Sequence, residues 1–146
     1  MSYSKTFAID AGTGLIKRAT AQAALTADGY VGTQWDQGAA AASDCVLVVN
    51  IESIDIASSD ETYKFYVVCS NQANRSDGEV VGFFQTGRAS ALAGSQETRD
   101  GAVGDRLVVP FRTEKNRTRF RYVDLYLDVA GTTPSIGFNA YISKDY

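Results

Sequence analysis

The 146-residue sequence contains no histidine, two prolines, two cysteines, one methionine and one tryptophan. Without histidine there is no Ser-His-Asp triad, no Cys-His nucleophile and no imidazole metal ligand. Charge of one sign is also lacking. Fourteen basic residues stand against 17 acidic ones, a net charge of −3, which argues against a general nucleic-acid binder with its basic domain. Long apolar runs are absent: the longest fully apolar stretches are 45–49 and 65–69, far short of the ~20 residues of a membrane span. No cationic segment followed by an apolar core opens the sequence, so no signal peptide is expected, and the reading is of a soluble protein made in a cytoplasm.

What is present is apolar enough to fold. Hydrophobic residues make up 45% of the sequence and aromatics 11%, too much for a disordered chain. The length is that of one domain, expected to span 1–146. Such a domain buries roughly two-thirds of its unfolded surface and needs no disulfide or metal to do so. Cys45 and Cys69 belong to no Cys-x-x-Cys motif and read as buried reduced thiols. A disulfide between them depends on geometry that spacing does not supply.

The dominant periodicity is two, the strand signal. Val123, Leu125, Leu127 and Val129 fall on one face, and Phe120, Tyr122, Asp124, Tyr126 and Asp128 on the other. Tyr63, Phe65, Val67 and Cys69 repeat the pattern, as do Leu107, Val109 and Phe111, and Ile136, Phe138, Ala140 and Ile142. Cys45, Leu47, Val49 and Ile51 alternate until the phase switches to Ile54 and Ile56, which predicts a bulge or bend. Turn residues separate these runs, at Asp28-Gly29, 58–60, 74–78, Asp100-Gly101, Gly104-Asp105 and 131–134. Strands are expected over 3–9, 15–25, 45–56, 62–72, 79–87, 105–114, 119–129 and 135–143. That is an all-β, eight-stranded antiparallel sandwich or jelly roll in a single domain. The Ala-rich 19–25 is compatible with a helix, and 88–96 with a helical turn in a long loop. Residues 29–43 read as a long irregular segment, a kind usually functional or disordered.

Several motifs point to chemistry and are outweighed by context. Asp10-Ala11-Gly12-Thr13-Gly14 looks like the first phosphate loop of the actin and sugar-kinase class. That fold needs two α/β domains, and no βαβ alternation follows, so the segment reads as a Gly-rich turn. Asp124 and Asp128 share a strand face, four residues and roughly 13 Å apart, too far for a glycosidase pair, and read as solvated surface acids. No Asp-x-Asp-x-Asp-Gly loop is present, so no Ca²⁺ site of the EF-hand kind is indicated. Neither a catalytic residue nor a cofactor or metal ligand is expected, and a small lyase or hydrolase is the weakest reading. Two glycosylation sequons, 74–76 and 116–118, carry no weight without a secretory signal.

Candidate contact residues remain. Arg112, Lys115, Arg117, Arg119 and Arg121 place five cations in ten residues. They fit a solvated hairpin tip with Glu114 among them, a rim steering an acidic protein partner, or, with Phe120 and Tyr122 as stacking platforms, a nucleic-acid contact. Tyr30 and Trp35 fit interface anchors, though Trp35 fits a plug at one end of the sandwich equally well. The candidate partner-binding residues are Tyr30, Trp35, Arg117, Arg119, Tyr122 and Tyr126.

In the last third, Arg121-Tyr122-Val123-Asp124-Leu125-Tyr126-Leu127-Asp128-Val129-Ala130-Gly131 is followed by Ile136-Gly137-Phe138-Asn139-Ala140-Tyr141-Ile142-Ser143-Lys144-Asp145. This resembles the end of the jelly-roll capsid cement (decoration) proteins of tailed bacteriophages, which close on an Arg-Tyr strand of alternating aliphatic and aromatic residues, a Gly-containing turn and a final strand. The resemblance implies a virion structural protein on the outer surface of the capsid, made in the host cytoplasm. It implies bridging of major capsid protein subunits by a homo-oligomer, a dimer rather than a trimer, with no cofactor, nucleic acid or membrane involved. A carbohydrate-binding or host-attachment β-sandwich of a phage tail or fibre, with Trp35, Tyr30 or the Tyr122/Tyr126 face as sugar platform, is the alternative.

Overall fold

A computed structural model describes residues 9, 12–92, 94 and 99–144. Among them are nine strands: β1 (Ile16–Arg18), β2 (Gly29–Ala41), β3 (Asp44–Ile54), β4 (Thr62–Ser70), β5 (Glu79–Gly87), β6 (Arg106–Arg112), β7 (Glu114–Lys115), β8 (Thr118–Ala130) and β9 (Ile136–Ser143). One sheet has the order β1-β9-β3-β6 and the other β2-β8-β4-β5, with β7 a short ribbon on β8. All pairings are antiparallel. Leaving β7 aside, first pairs with last and so on inward: β1 with β9, β2 with β8, β3 with β6, β4 with β5. This is one long hairpin rolled so that successive pairs fall in alternate sheets, the winding of a jelly roll.

The core lies between the sheets. It is built from the period-two stripes of β3, β4, β6, β8 and β9, with Leu15, Val31 and Trp35 closing one side. Phe65 and Phe138 meet edge-on across it at 5.1 Å. Cys45 and Cys69 are free and buried, and burial pushes their thiols up to about 11 and about 12. The switch of phase after Ile51 is a bulge in the β3–β9 ladder between Ile51 and Ser53.

Four elements differ from expectation. The predicted strand 3–9 lies outside the described residues except for Ile9, which is in no strand. The predicted strand 15–25 shrinks to Ile16–Arg18 plus an isolated bridge from Leu25 to Ile136. The segment 29–43, expected to be irregular, contains the 13-residue β2. Two register shifts, between Val31 and Trp35 and between Asp36 and Ala41, break its alternation. Gly32 at φ +78 sits so close to the Lys17 carbonyl that a Cβ would lie 2.1 Å from it. The predicted 105–114 splits at Thr113, where the chain crosses between sheets. Its buried hydroxyl donates to the Ala41 carbonyl (2.6 Å) and accepts the Ser43 amide (2.8 Å). A 3-10 turn occupies Ala89–Ala91, within the stretch expected to hold a helical turn.

Candidate docking face

The outer face of the β2-β8-β4-β5 sheet carries one aromatic residue from each strand, all in register. Tyr30 lies opposite Tyr126, Tyr126 opposite Tyr66, and Tyr66 opposite Phe83. The ring centroids are 5.0, 6.5 and 5.1 Å apart, with the first pair edge-to-face and the others tilted. Cross-strand neighbours on one face stand close enough for such contacts, and the arrangement satisfies the ring quadrupoles. Tyr30 is 43% and Phe83 46% exposed at the two ends of the row, and Tyr66 and Tyr126 between them are half-buried. Val80, also on β5, is another exposed apolar side chain.

A polar cluster supports the Tyr30 end. Asp124, two residues from Tyr126 on the same strand face, is only 2% exposed. It corrects the expectation of a solvated acid, because other side chains cover it. Arg75 reaches back from the turn between β4 and β5 to donate to one oxygen (2.9 Å), and Gln34 of β2 donates to the other (2.8 Å). The same guanidinium lies over the Tyr30 ring, 3.9 Å from its centroid. Arg75 holds a left-handed backbone at φ +64, a conformation that costs a non-glycine residue about 1 kcal/mol. The Asp124 carboxylate fixes the guanidinium in its charged form. From the sandwich edge, Lys17 of β1 spans to the opposite sheet, donating to the carbonyls of Thr33 (2.8 Å) and Val123 (3.0 Å). It is 2% exposed, and burial lowers its amine to about 8 against the opposing pull of Asp124. On the other side of the row Asp28 and Asp128 flank Tyr126, whose hydroxyl is held above its ordinary range by desolvation and by these two carboxylates.

The sequence candidates divide on this framework. Tyr30 and Tyr126 are in the row. Tyr122 is on the same face, between Asp36 and Ser70, with the Arg121 guanidinium 5.0 Å from its ring. Trp35 is buried in the core, so of its two readings the structure takes the plug. Phe120, expected on the outer face, is buried in the core too. Its amide bonds to Thr113 where β8 leaves β7 for β2, and the register shift there turns its side chain inward. Arg117 sits at the tip of the two-residue β7–β8 turn, where Asn116 (φ 52) and Arg117 (φ 67) are both left-handed, the geometry of a type I′ hairpin. Arg119 pairs with Glu114, which also pairs with Arg112. Arg112 further pairs with Asp44, Lys115 with Glu79 and Arg121 with Asp36. Four of the run's five cations, Arg112, Lys115, Arg119 and Arg121, are thus held in exposed ion pairs, and Asp36 is drawn down to about 2 mainly by its hydrogen bond from Arg121.

Sequence reasoning missed Tyr66, Phe83, Arg75 and Lys17. Tyr66 was legible as the outward residue between the inward Phe65 and Val67. The other three take up their contacts only through folding. The Gly-rich turn ending at Gly14 leads into a three-residue strand, not a helix, and its Asp10 lies outside the described residues. Among the described residues no three potential metal ligands cluster. A cleft of about 230 Å³ between β5 and β6 is lined in part by Arg99, Asp100, Asp105 and Arg106, and two of its charges are joined in the Arg99–Asp105 pair.

No family model matches this chain, and no curated protein or solved structure does either.

Proposed function

We propose that the protein is a virion structural protein, a capsid cement that binds the outside of a phage head and bridges and stabilises major capsid protein subunits. The observation that carries the reading is the in-register aromatic row on an open sheet face. Aromatic side chains dominate the energetic centres of protein interfaces, and this row runs across the outer face of a sheet. The resemblance in the last third points the same way, since the residues that carry it are those of β8 and β9, and β8 supplies Tyr122 and Tyr126 to the face. Each contact can be modest, because many copies on one lattice act together. A sugar platform fits less well: the rings stand edge-on or tilted to one another, and the Arg75 guanidinium covers one face of Tyr30.

The test adds purified protein to expanded heads that lack it. Saturable binding with a gain in thermal or denaturant resistance of the heads is expected. Failure to bind, or binding without that gain, overturns the reading, and selective glycan-array binding favours the carbohydrate alternative.

A further inference from the structure

Two buried cations stand side by side in β1. Lys17 is 2% and Arg18 5% exposed, and among the described residues neither forms an ion pair. Lys17 donates to the Thr33 and Val123 carbonyls. Arg18 donates from Nε to the Phe138 carbonyl (3.0 Å) and from Nη2 to the Ala23 carbonyl. Its guanidinium lies 5.1 Å from the centre of the Phe138 ring. The third nitrogen, Nη1, makes no hydrogen bond, yet it is not sealed from solvent. A buried charge without a counter-ion is costly. A lysine answers by releasing its proton more readily, as Lys17 does, whereas a guanidinium keeps its charge. Glu52 acts on Arg18 through space, but its oxygens accept from the Thr20 hydroxyl and the Ala21 amide.

Arg18 lines a cavity of about 390 Å³ that opens between β1 and β2. Ile16, Leu25, Tyr30 and Val31 give it apolar walls, and Gln22 adds a neutral polar group. Its size is that of a small-ligand site, where a few polar groups set amid apolar walls fix what binds. We infer that this cavity binds a carboxylate carried on an apolar stem, with the charge held by Arg18. One permanent cation with one uncommitted nitrogen suits a singly charged acceptor, and a charge-assisted hydrogen bond from Nη1 is the strong kind. A phosphate dianion calls for several charged donors, and Lys17 has already spent its bonds on carbonyls. The stem covers Ile16, which is 41% exposed. Tyr30 belongs both to the cavity and to the aromatic row. The carboxylate therefore has two sources: a free acid, or an acidic side chain of the protein seated on the row. The second source rests on the reading of that row as a docking face.

The test titrates the full chain with sodium butyrate and follows its amide NMR signals, with butyramide and sodium chloride at equal ionic strength as controls. Butyrate is expected to shift the signals of Ile16, Arg18, Leu25 and Val31 saturably, with a Kd in the millimolar range. Butyramide, the same stem without the charge, is expected to bind at least tenfold more weakly. Arg18→Met is expected to abolish the shifts while its dichroism stays that of the wild type. A wild-type chain without saturable shifts overturns the inference, as does one that answers butyrate and butyramide alike, and neither result depends on the variant folding. A folded Arg18→Met chain that still takes butyrate overturns it too. Heads then separate the two sources. Head binding weakened at least tenfold by saturating butyrate assigns the carboxylate to the capsid protein, and unchanged binding assigns it to a free acid. A chain that takes butyrate but ignores heads overturns the cement function alone, and one that binds heads but not butyrate overturns this site alone.

Discussion

At the scale of single residues, the buried charges are the most consequential feature. Asp124 is nearly inaccessible, and both its oxygens are taken by Arg75 and Gln34. Removing one partner of a buried pair is costly because the other charge remains uncompensated. Arg75→Ala is expected to lower stability by about 2–3 kcal/mol, with the left-handed backbone at φ +64 unrelieved because alanine also carries a Cβ. Urea unfolding midpoints at constant slope check this. Lys17 gives a pH dependence of definite sign. Its amine titrates near 8 in the folded chain against 10.5 ordinarily, so between those values the unfolded chain holds a proton that the folded chain has released. Stability contributed through Lys17 therefore rises from pH 8 to 10.5, by about 3 kcal/mol in full. The cysteines act in the opposite sense. Their thiols stay protonated to about 11 and 12 against an ordinary 9, so stability falls as pH rises past 9. The stability difference between wild type and Lys17→Met, followed from pH 7 to 10.5, is expected to isolate the rise. A flat difference contradicts the buried amine.

At the scale of elements, the informative places are those where alternation breaks. β2 is held to β1 by a close approach at Gly32, where an added Cβ would collide with the Lys17 carbonyl and φ is positive. Gly32→Ala is expected to cost at least ~3 kcal/mol and to appear as a large drop in the thermal midpoint. Thr113 joins β6 to β7 at the crossing between sheets. Thr113→Val keeps the shape and removes the hydroxyl, leaving the Ala41 carbonyl and Ser43 amide unpaired. A loss of about 1–3 kcal/mol is expected in the same measurement. These breaks also explain where sequence reading lost its way. β4 and β9 carry regular stripes, and their expected ends lie within two residues of the observed ones. β2 has two register shifts and outward Gly and Ala, so its 13 residues show no clean period of two.

At the scale of the whole molecule, both sheets share one apolar cluster that includes Trp35. Tryptophan fluorescence and far-ultraviolet dichroism are therefore expected to report one coincident unfolding transition, and separated transitions would show that the sheets unfold independently. The face and the core are made by the same strands. Alternate residues of β8 supply Leu125 and Leu127 to the interior and Tyr122, Asp124 and Tyr126 to the outer surface. Docking and stability are thus coupled through one backbone. A substitution on the outer face can test binding without disturbing the interior, provided it spares Asp124 and Arg75.

The sequence by itself determined the class of fold and the inward stripes, because period-two burial is a local property that each strand carries along its own length. It also placed Tyr30, Tyr122 and Tyr126 among the contact candidates. Only the tertiary structure decided that Tyr30, Tyr126, Tyr66 and Phe83 form one row, since alignment across strands depends on register, and register is set by pairing partners up to about a hundred residues away in the chain. It likewise decided that Asp124 is buried and that four cations of the basic run are paired. Whether a charge meets water or a counter-ion depends on what folds over it, and no local pattern encodes that.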